Sequence, residues 1–316
     1  MKKILLIFSA KKFLFTGFPY FCRGDFKNNY SVKKPEWVFV GVLLLIAAYF
    51  SYRYLTRPQP FEPLQLVPAS SVAVYQTHQL PERWAALADK PYWQDLLRIE
   101  EITTTDKLYR HFDSLMQANS WLAKELQRKP VLFSLHVTGS QSAGLLYYLP
   151  GGLRARDVLQ ELLQYYTGRP VRQTTREYNG FVIYEWQAGK HEISAIAYKD
   201  YLIFSSYGYL VEDVVRNIND EFKNNFLAGH PDLRHVSHLQ DDSGDLYISG
   251  RQLNAFWHTF LPPGKSSDRA LTGSAFYDVA FNDSGLLLSG FLFAGSDDFT
   301  AVFRDQEAGE PQGLLL

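Results

Sequence analysis

Short runs in which apolar and polar residues alternate, or in which β-branched and aromatic residues follow one another, recur along residues 71–293. Such runs, bounded by Gly, Asn, Asp or Ser, are typical of β-strands joined by tight turns. Turns at Gly139–Ala143, Ala188–Lys190, Lys199–Asp200 and Asn282–Gly285 indicate that several strands pair as hairpins. The predicted strands are Ser71–Thr77, Val131–Thr138, Gly144–Leu149, Phe181–Trp186, Ile193–Tyr198, Tyr201–Ser206, Leu246–Ser249, Ser274–Phe281 and Leu286–Phe293, with a further short one at Phe299–Phe303.

Apolar residues at helical spacing separate these hairpins. They predict a long helix over Thr104–Gln127 and another over Arg154–Thr167. A third helix follows Ser206, its predicted N-cap, and two short helices begin at Pro81 and Pro91. We therefore expect an α+β fold, a mostly antiparallel sheet with packed helices, preceded by one N-terminal transmembrane helix. Two similar halves are compatible with this order, although no sequence repeat is evident.

One segment near the N-terminus is apolar all round and does not show the pattern of an amphipathic helix. No charged residue lies in the sixteen residues Trp37–Tyr52. At 1.5 Å per residue these sixteen span about 24 Å, slightly short of the roughly 30 Å hydrocarbon core of a bilayer. Arg53 can snorkel to the interface, and Tyr54 and Leu55 extend the apolar surface to residue 55. Trp37 and Tyr52 are residue types favoured at membrane interfaces. We expect a transmembrane helix over residues 36–55, with residues 37–55 in contact with the lipid bilayer.

The distribution of charge predicts the orientation of this helix. The whole chain carries 32 Lys and Arg against 33 Asp and Glu. Residues 1–36 hold eight basic and two acidic side chains, a net charge of +6, whereas residues 53–316 hold 24 basic and 31 acidic ones, a net charge of −7. Because basic flanks stay in the cytoplasm, we expect a cytoplasmic N-terminus and an extracytoplasmic C-terminal domain at a bacterial inner membrane.

These features divide the chain into five segments. Residues 1–35 form a basic cytoplasmic tail, and residues 56–68 form a proline-rich spacer after the transmembrane helix. Residues 69–305 form the extracytoplasmic α+β domain, followed by the tail 306–316, whose abrupt end leaves open a truncated form of a longer chain. The single cysteine excludes a disulfide scaffold and a cysteine-based zinc site. Because the domain is acidic, we expect no nucleic-acid partner.

Three polar strings resemble known motifs and are interpreted as turns. Ser140-Gln-Ser142-Ala-Gly144 resembles a nucleophile elbow, but it lacks the first glycine and joins two predicted strands, and the nearby His136 does not repair this. Asp241-Asp-Ser-Gly-Asp245 is faintly similar to a calcium loop and lacks its ligand series. Asn282–Gly285 has the same turn chemistry.

Three histidines stand close together in the sequence. His230, His235 and His238 precede a predicted strand, and the last two have the spacing of two ligands on one helical turn. We interpret the segment as a solvated connection, with a zinc or similar site as the weaker alternative. The chain shows no catalytic signature, so we assign no catalytic, cofactor-binding or metal residues and expect no cofactor and no enzyme activity.

Aromatic residues crowd the middle of the chain. Tyrosine and tryptophan are favoured at partner interfaces and on half-buried sheet faces alike. We expect sheet packing for most of them and a protein-binding surface for some. The residues are Tyr147, Tyr148, Tyr165, Tyr166, Tyr178, Tyr184, Trp186, Tyr198, Tyr201, Tyr207 and Tyr209.

Four segments together resemble a family of bacterial envelope proteins of uncharacterised function. The segments are Val67–Val74, Lys129–Gly139, Gly244–Ser249 and Tyr277–Phe291, which are strand and turn signatures within about residues 65–305. The resemblance implies a short cytoplasmic tail, a single membrane helix and a large exported region. The chain resembles the N-terminal part of the longer members of this family. It supplies no catalytic residues.

The leading hypothesis is therefore a membrane-anchored extracytoplasmic protein that works by binding or scaffolding. The alternative is a metal-dependent or other hydrolase that uses the His230, His235 and His238 region.

Overall fold

A computed structural model of the chain describes residues 43–49, 61–236, 243–260 and 272–293. The chain divides into two compact units, residues 1–61 and residues 62–316. In the first unit, residues 43–49 are helical and exposed, and the remainder of the predicted transmembrane helix lies outside the described residues. None of the helices in the described ranges is both long and apolar enough to cross a membrane.

The second unit contains a large antiparallel sheet, to which the described residues contribute ten strands. The strands are β1 (Ser71–Thr77), β2 (Val131–Gly139), β3 (Ser142–Pro150), β4 (Arg172–Tyr178), β5 (Phe181–Ala188), β6 (His191–Tyr198), β7 (Tyr201–Ser205), β8 (Gly244–Ser249), β9 (Ser274–Phe281) and β10 (Leu286–Phe293). Their spatial order is β10-β9-β8-β1-β2-β3-β7-β6-β5-β4. The sheet and the helices packed on it confirm the predicted α+β class.

Helices connect the strands at several points of this unit. The α-helices are α1 (Leu80–Ala88), α2 (Trp93–Leu96), α3 (Glu100–Ala118), α4 (Ser120–Arg128), α5 (Ala155–Thr167), α6 (Gly208–Asn219), α7 (Phe226–Gly229) and α8 (Gly250–Phe260). Short 3-10 helices lie at Pro63–Leu66, Gly152–Arg154 and Pro231–His235.

Three local predictions differ from the structure. The long helix predicted over Thr104–Gln127 is two helices, because Asn119 leaves the helical conformation and its side-chain Nδ2 donates to the Leu115 carbonyl at 2.8 Å. Ser206 is not the N-cap of α6, whose preceding residue is Tyr207. Strand β4 was not predicted, since it is a polar strand without an apolar alternation.

A hydrophobic core lies where α3, α4 and α5 pack against the sheet. Leu122 and Leu126 of α4 and Trp186 of β5 are fully buried there. Burial of a large apolar side chain contributes about 1.5–3 kcal/mol, so this layer stabilises strands β2, β3, β5, β6 and β7.

Two neighbouring strands of the sheet, β1 and β8, each begin a similar chain path. β1 is followed by α1–α4 and the hairpin β2–β3, and we call this the first motif. β8 is followed by α8 and the hairpin β9–β10, and we call this the second motif. The motifs meet where β1 pairs antiparallel with β8, with Val74 opposite Tyr247. The sheet therefore extends outward from this pair through β2–β3 on one side and β9–β10 on the other.

Candidate functional site

The three histidines of the metal hypothesis are only partly described. His230 follows α7 and its ring lies 4.9 Å from the ring of Phe226. Burial, and secondarily the Arg251 guanidinium, lower the pKa of His230. His235 ends a 3-10 helix, and His238 lies outside the described residues. Within the described ranges, the His, Cys, Asp and Glu side chains form no group of three that could hold a metal ion. The metal-dependent hydrolase therefore stays a hypothesis.

The serine string that resembles a nucleophile elbow is a hairpin turn. It joins β2 to β3, and Gln141 at its tip has a positive φ of 62°. Thr138 Oγ1 donates to Ser142 Oγ at 2.9 Å, which ties the two strand ends together. An elbow needs a strand-to-helix turn, so this geometry places no catalytic serine here.

His136 belongs to a polar network whose members on β2 and β3 are buried and which reaches the exposed Ser70 just before β1. Its Nδ1 lies 3.2 Å from Ser70 Oγ, and its Nε2 lies 2.8 Å from Ser134 Oγ. Ser134 Oγ also lies 3.2 Å from Tyr148 Oη. Burial lowers the pKa of His136 to about 4, because desolvation disfavours the charged imidazolium. The imidazole is thus neutral near pH 7, and its burial favours a structural role.

The acidic string is described only from Ser243 onward, where it leads into β8, and the string Asn282–Gly285 joins β9 to β10. Asp245 lies in β8, buried and directly opposite Asp278 of β9. Asn282 Oδ1 accepts hydrogen bonds from the backbone N–H groups of Ser284 at 3.0 Å and Gly285 at 2.9 Å. The turn interpretation of Asn282–Gly285 is confirmed, while Asp241 and Asp242 lie outside the described residues.

Most of the predicted aromatic cluster packs on or within the sheet. Tyr148, Trp186 and Tyr201 are buried, and five further members are half-buried. Rings stack across neighbouring strands, as Tyr147 does on Phe204 at 4.9 Å. The members that remain exposed are Tyr165, Tyr166 and Tyr209.

Two of these exposed tyrosines lie side by side near the end of α5, each against a histidine. The ring of Tyr165 stacks on that of His111 from α3, with centroids 3.9 Å apart and planes 9° apart. The ring of Tyr166 meets that of His191 edge to face at 5.4 Å. The histidine contacts hold both tyrosine rings in place while about half of each side chain faces solvent, 50% for Tyr165 and 47% for Tyr166.

An open cleft of about 810 Å³ lies beside Tyr165 and His111. Its wall on α5 follows from helical periodicity, because the apolar face of this helix is buried in the core and its polar face remains outside. The polar residues that line the cleft are Asp157, Gln160, Glu161, Gln164 and Arg169. We call His111, Tyr165 and these five residues the α5 cleft.

The α5 cleft combines rigid rings with groups that accept and donate hydrogen bonds. Asp157 and Glu161 provide carboxylate acceptors, Gln160 and Gln164 provide amides, and Arg169 provides a cation. Aromatic anchors flanked by adaptable polar groups are typical of surfaces that bind partners. This arrangement supports recognition of a polar ligand and contains no described nucleophile and base pair of the kind that acyl transfer requires.

Sequence reasoning identified Tyr165 only as one of eleven aromatic residues and did not identify His111. The polar stripe of α5 could have been found from its spacing of three and four residues. The stacking of His111 on Tyr165 could not have been predicted from the sequence, because the two residues lie on different helices whose packing is set by the core.

The chain matches no protein-family model, no curated protein and no solved structure.

Proposed function

We propose that this chain is a single-pass, membrane-anchored bacterial envelope protein whose domain binds a partner outside the cytoplasm. Residues 37–55 anchor it in the inner membrane, residues 1–35 stay in the cytoplasm, and the α+β domain acts as a binding or scaffolding module. The apolar run Trp37–Tyr52 and the excess of basic residues before it support the anchor and its orientation.

The observation that carries the binding function is half-exposed Tyr165 of the α5 cleft together with its half-exposed neighbour Tyr166, each with its ring against a histidine. Tyrosine exposes a large apolar ring and loses little conformational entropy when it is immobilised, since it has only two side-chain torsions. Here His111 and His191 already restrict the two rings. The α5 cleft is therefore pre-organised, which reduces the ordering cost on binding.

Site-specific photo-crosslinking in living cells tests this binding function. A photoreactive phenylalanine analogue replaces Tyr166, next to the cleft, or Tyr209, which is similarly exposed on α6. We expect an adduct of defined mass at position 166 and none at position 209. The adduct at 166 should be lost when Tyr165 and His111 are changed to Ala. Equal labelling at both positions, or labelling that survives the double substitution, would contradict the α5 cleft as the binding surface.

A topology reporter tests the anchor separately. The full chain is fused after residue 316 to alkaline phosphatase, which is active only outside the cytoplasm, or to a fluorescent protein that folds only in the cytoplasm. We expect phosphatase activity in the membrane fraction. Fluorescence in place of phosphatase activity would contradict the proposed orientation. Phosphatase activity in the soluble fraction would contradict the proposed membrane anchor.

A further inference from the structure

The last turn of α6 carries a buried amide with an unused hydrogen-bonding atom. Asn217 keeps 4% of its surface exposed. Its Nδ2 donates to the Gln65 carbonyl at 2.8 Å, whereas its Oδ1 has no hydrogen-bond partner among the described residues. Buried polar atoms are nearly always hydrogen-bonded, so this exception indicates a donor that the described residues do not supply.

Asn217 also lines a cleft of about 330 Å³ between α6 and the segment that precedes β1. Pro68 and Ala69 form the apolar side of this cleft. Asp213 and Asp220 line the helical side, because residues spaced by three and four positions share one face of a helix. The Asn217 Nδ2 is already bound to a carbonyl group, so its Oδ1 is the atom of this amide that remains for a molecule in the cleft.

The charged side chains around Asn217 favour a cationic molecule. Asp213 is paired with Arg216, so these two charges offset each other. Asp220 accepts a hydrogen bond from Asn224 Nδ2, and it forms no ion pair within the described part of the chain. Asp220 is moreover the C-cap of α6, where the helix dipole is negative. The cleft therefore has a net negative charge of one next to the unused Asn217 Oδ1.

We propose that this cleft binds a small organic ammonium compound. A protonated primary amine has three N–H donors, which can reach both Asn217 Oδ1 and the Asp220 carboxylate. Its carbon chain then lies against Pro68 and Ala69. The site uses none of the residues of the α5 cleft, so it is a second binding site and does not depend on the partner proposed above.

The shape and composition of the cleft favour an organic cation over a metal ion. A volume of about 330 Å³ is at the lower end of small-molecule sites and far exceeds the size of an ion. Within the described ranges, the His, Cys, Asp and Glu side chains form no group of three that could hold a metal ion. Calcium typically takes six to eight oxygen ligands, more than one amide and one unpaired carboxylate provide.

Calorimetric titration of the full chain, purified in a mild detergent, with 1,4-diaminobutane tests the proposal. The matched control ligand is 1,4-butanediol, which has the same carbon chain and no charge. At neutral pH we expect saturable binding of the diamine and none of the diol, because only an ammonium group pairs with the carboxylate. A diamine that does not bind saturably, or a diol that binds equally well, would overturn the proposal. Calcium chloride that displaces the diamine at lower concentration would overturn it in favour of a metal site.

Three substitutions locate the site within the chain. Asp220→Asn should weaken diamine binding about tenfold, because one charge-assisted hydrogen bond is lost. Glu221→Gln is the matched control, since the Glu221 side chain is 81% exposed and is paired with Lys223. It should leave the affinity unchanged. Asn217→Leu should abolish binding, and Asp220→Asn decides the matter if that variant does not fold. Equal weakening by the two carboxylate substitutions would mean unspecific attraction to an acidic surface and would overturn the proposal.

Discussion

The first and second motifs follow similar paths through the sheet, but they differ in the surroundings of their outer strands. In the first motif the outer strand β3 lies between β2 and β7, and its Leu146 and Tyr148 are fully buried. In the second motif the outer strand β10 ends the described sheet, and its leucines are largely exposed. A similar order of strands and helices therefore does not determine burial. What decides it is whether further strands and helices are added beyond the hairpin.

The largest expected difference in stability is between alanine substitutions of one leucine from each outer strand. Leu146→Ala should lower the free energy of unfolding by about 2–5 kcal/mol, because the Leu146 side chain is fully buried and its truncation leaves a cavity at the covered face of β3. Leu288→Ala in β10 should cost less than about 1 kcal/mol, because the side chain is already half solvated. Denaturant unfolding followed by tryptophan fluorescence measures both. Equal losses would mean that β10 is covered as thoroughly as β3.

The pH dependence of stability tests the buried network of the first motif. The pKa of His136 is about 4 in the folded protein and about 6.5 in the unfolded chain, so the unfolded chain binds more protons between these values. The free energy of unfolding should therefore fall as the pH drops from 6.5 to 4, by up to about 3 kcal/mol. His136→Gln should show a smaller fall, and an unchanged pH profile in this variant would assign the dependence to other groups.

A third prediction concerns the four strands that continue the sheet beyond the first motif. Arg176 of β4 joins Glu185 of β5 at 2.6 Å and Glu212 of α6 at 2.7 Å, so that it links two strands to a helix. Arg176→Met should cost about 1–2 kcal/mol, since it leaves two carboxylates without their shared cation.

The matched control for this substitution is Arg98→Met. Arg98 pairs with Asp95 at 3.0 Å, and both side chains are mostly exposed. Exposed pairs contribute about 0–1 kcal/mol, so its effect on chemical unfolding should be near zero. If both substitutions lower the free energy of unfolding equally, the cluster of Arg176, Glu185 and Glu212 does not stabilise this part of the sheet.

The smallest effects distinguish the two hairpin turns. Gln141→Gly in the β2–β3 turn should stabilise the protein by about 0.5 kcal/mol, because Gln141 has a φ of 62° that glycine adopts without strain. Asn282→Ala in the β9–β10 turn should destabilise by about 0.5–1 kcal/mol, since two backbone N–H groups lose their acceptor. Thermal unfolding should shift in opposite directions, and shifts of the same sign would contradict this account of the turns.

Much of the secondary structure could be predicted from local patterns. The bounds of β1, β9 and β10 coincide with the predicted strands, because alternation and Asx-Gly turns act over a few residues. Strand β4 was missed because its side chains are polar, and it is a strand only through pairing with β5. The break at Asn119 was missed because the apolar spacing continues across it, whereas a single side-chain hydrogen bond ends the helix.

The candidate site shows the same division. The tyrosines of α5 were recognised as one part of an aromatic cluster, yet exposure separates Tyr165 and Tyr166 from the buried Trp186 only in three dimensions. The neutral state of His136 likewise depends on strands that are distant in sequence. Desolvation and ring stacking both require neighbours from other elements, and local periodicity carries no information about those neighbours.

The sequence by itself determined the α+β class, most strands and turns, the separation of basic and acidic segments, and the apolar run on which the proposed anchor rests. These properties depend on composition and on spacings of two to four residues. The tertiary structure decided the order of strands in one sheet, the burial of His136, the α5 cleft and the exposure of β10 at the end of the described sheet. Those features arise because packing brings together residues that are far apart in the chain. Packing also determines which surfaces are covered by other elements and which stay exposed.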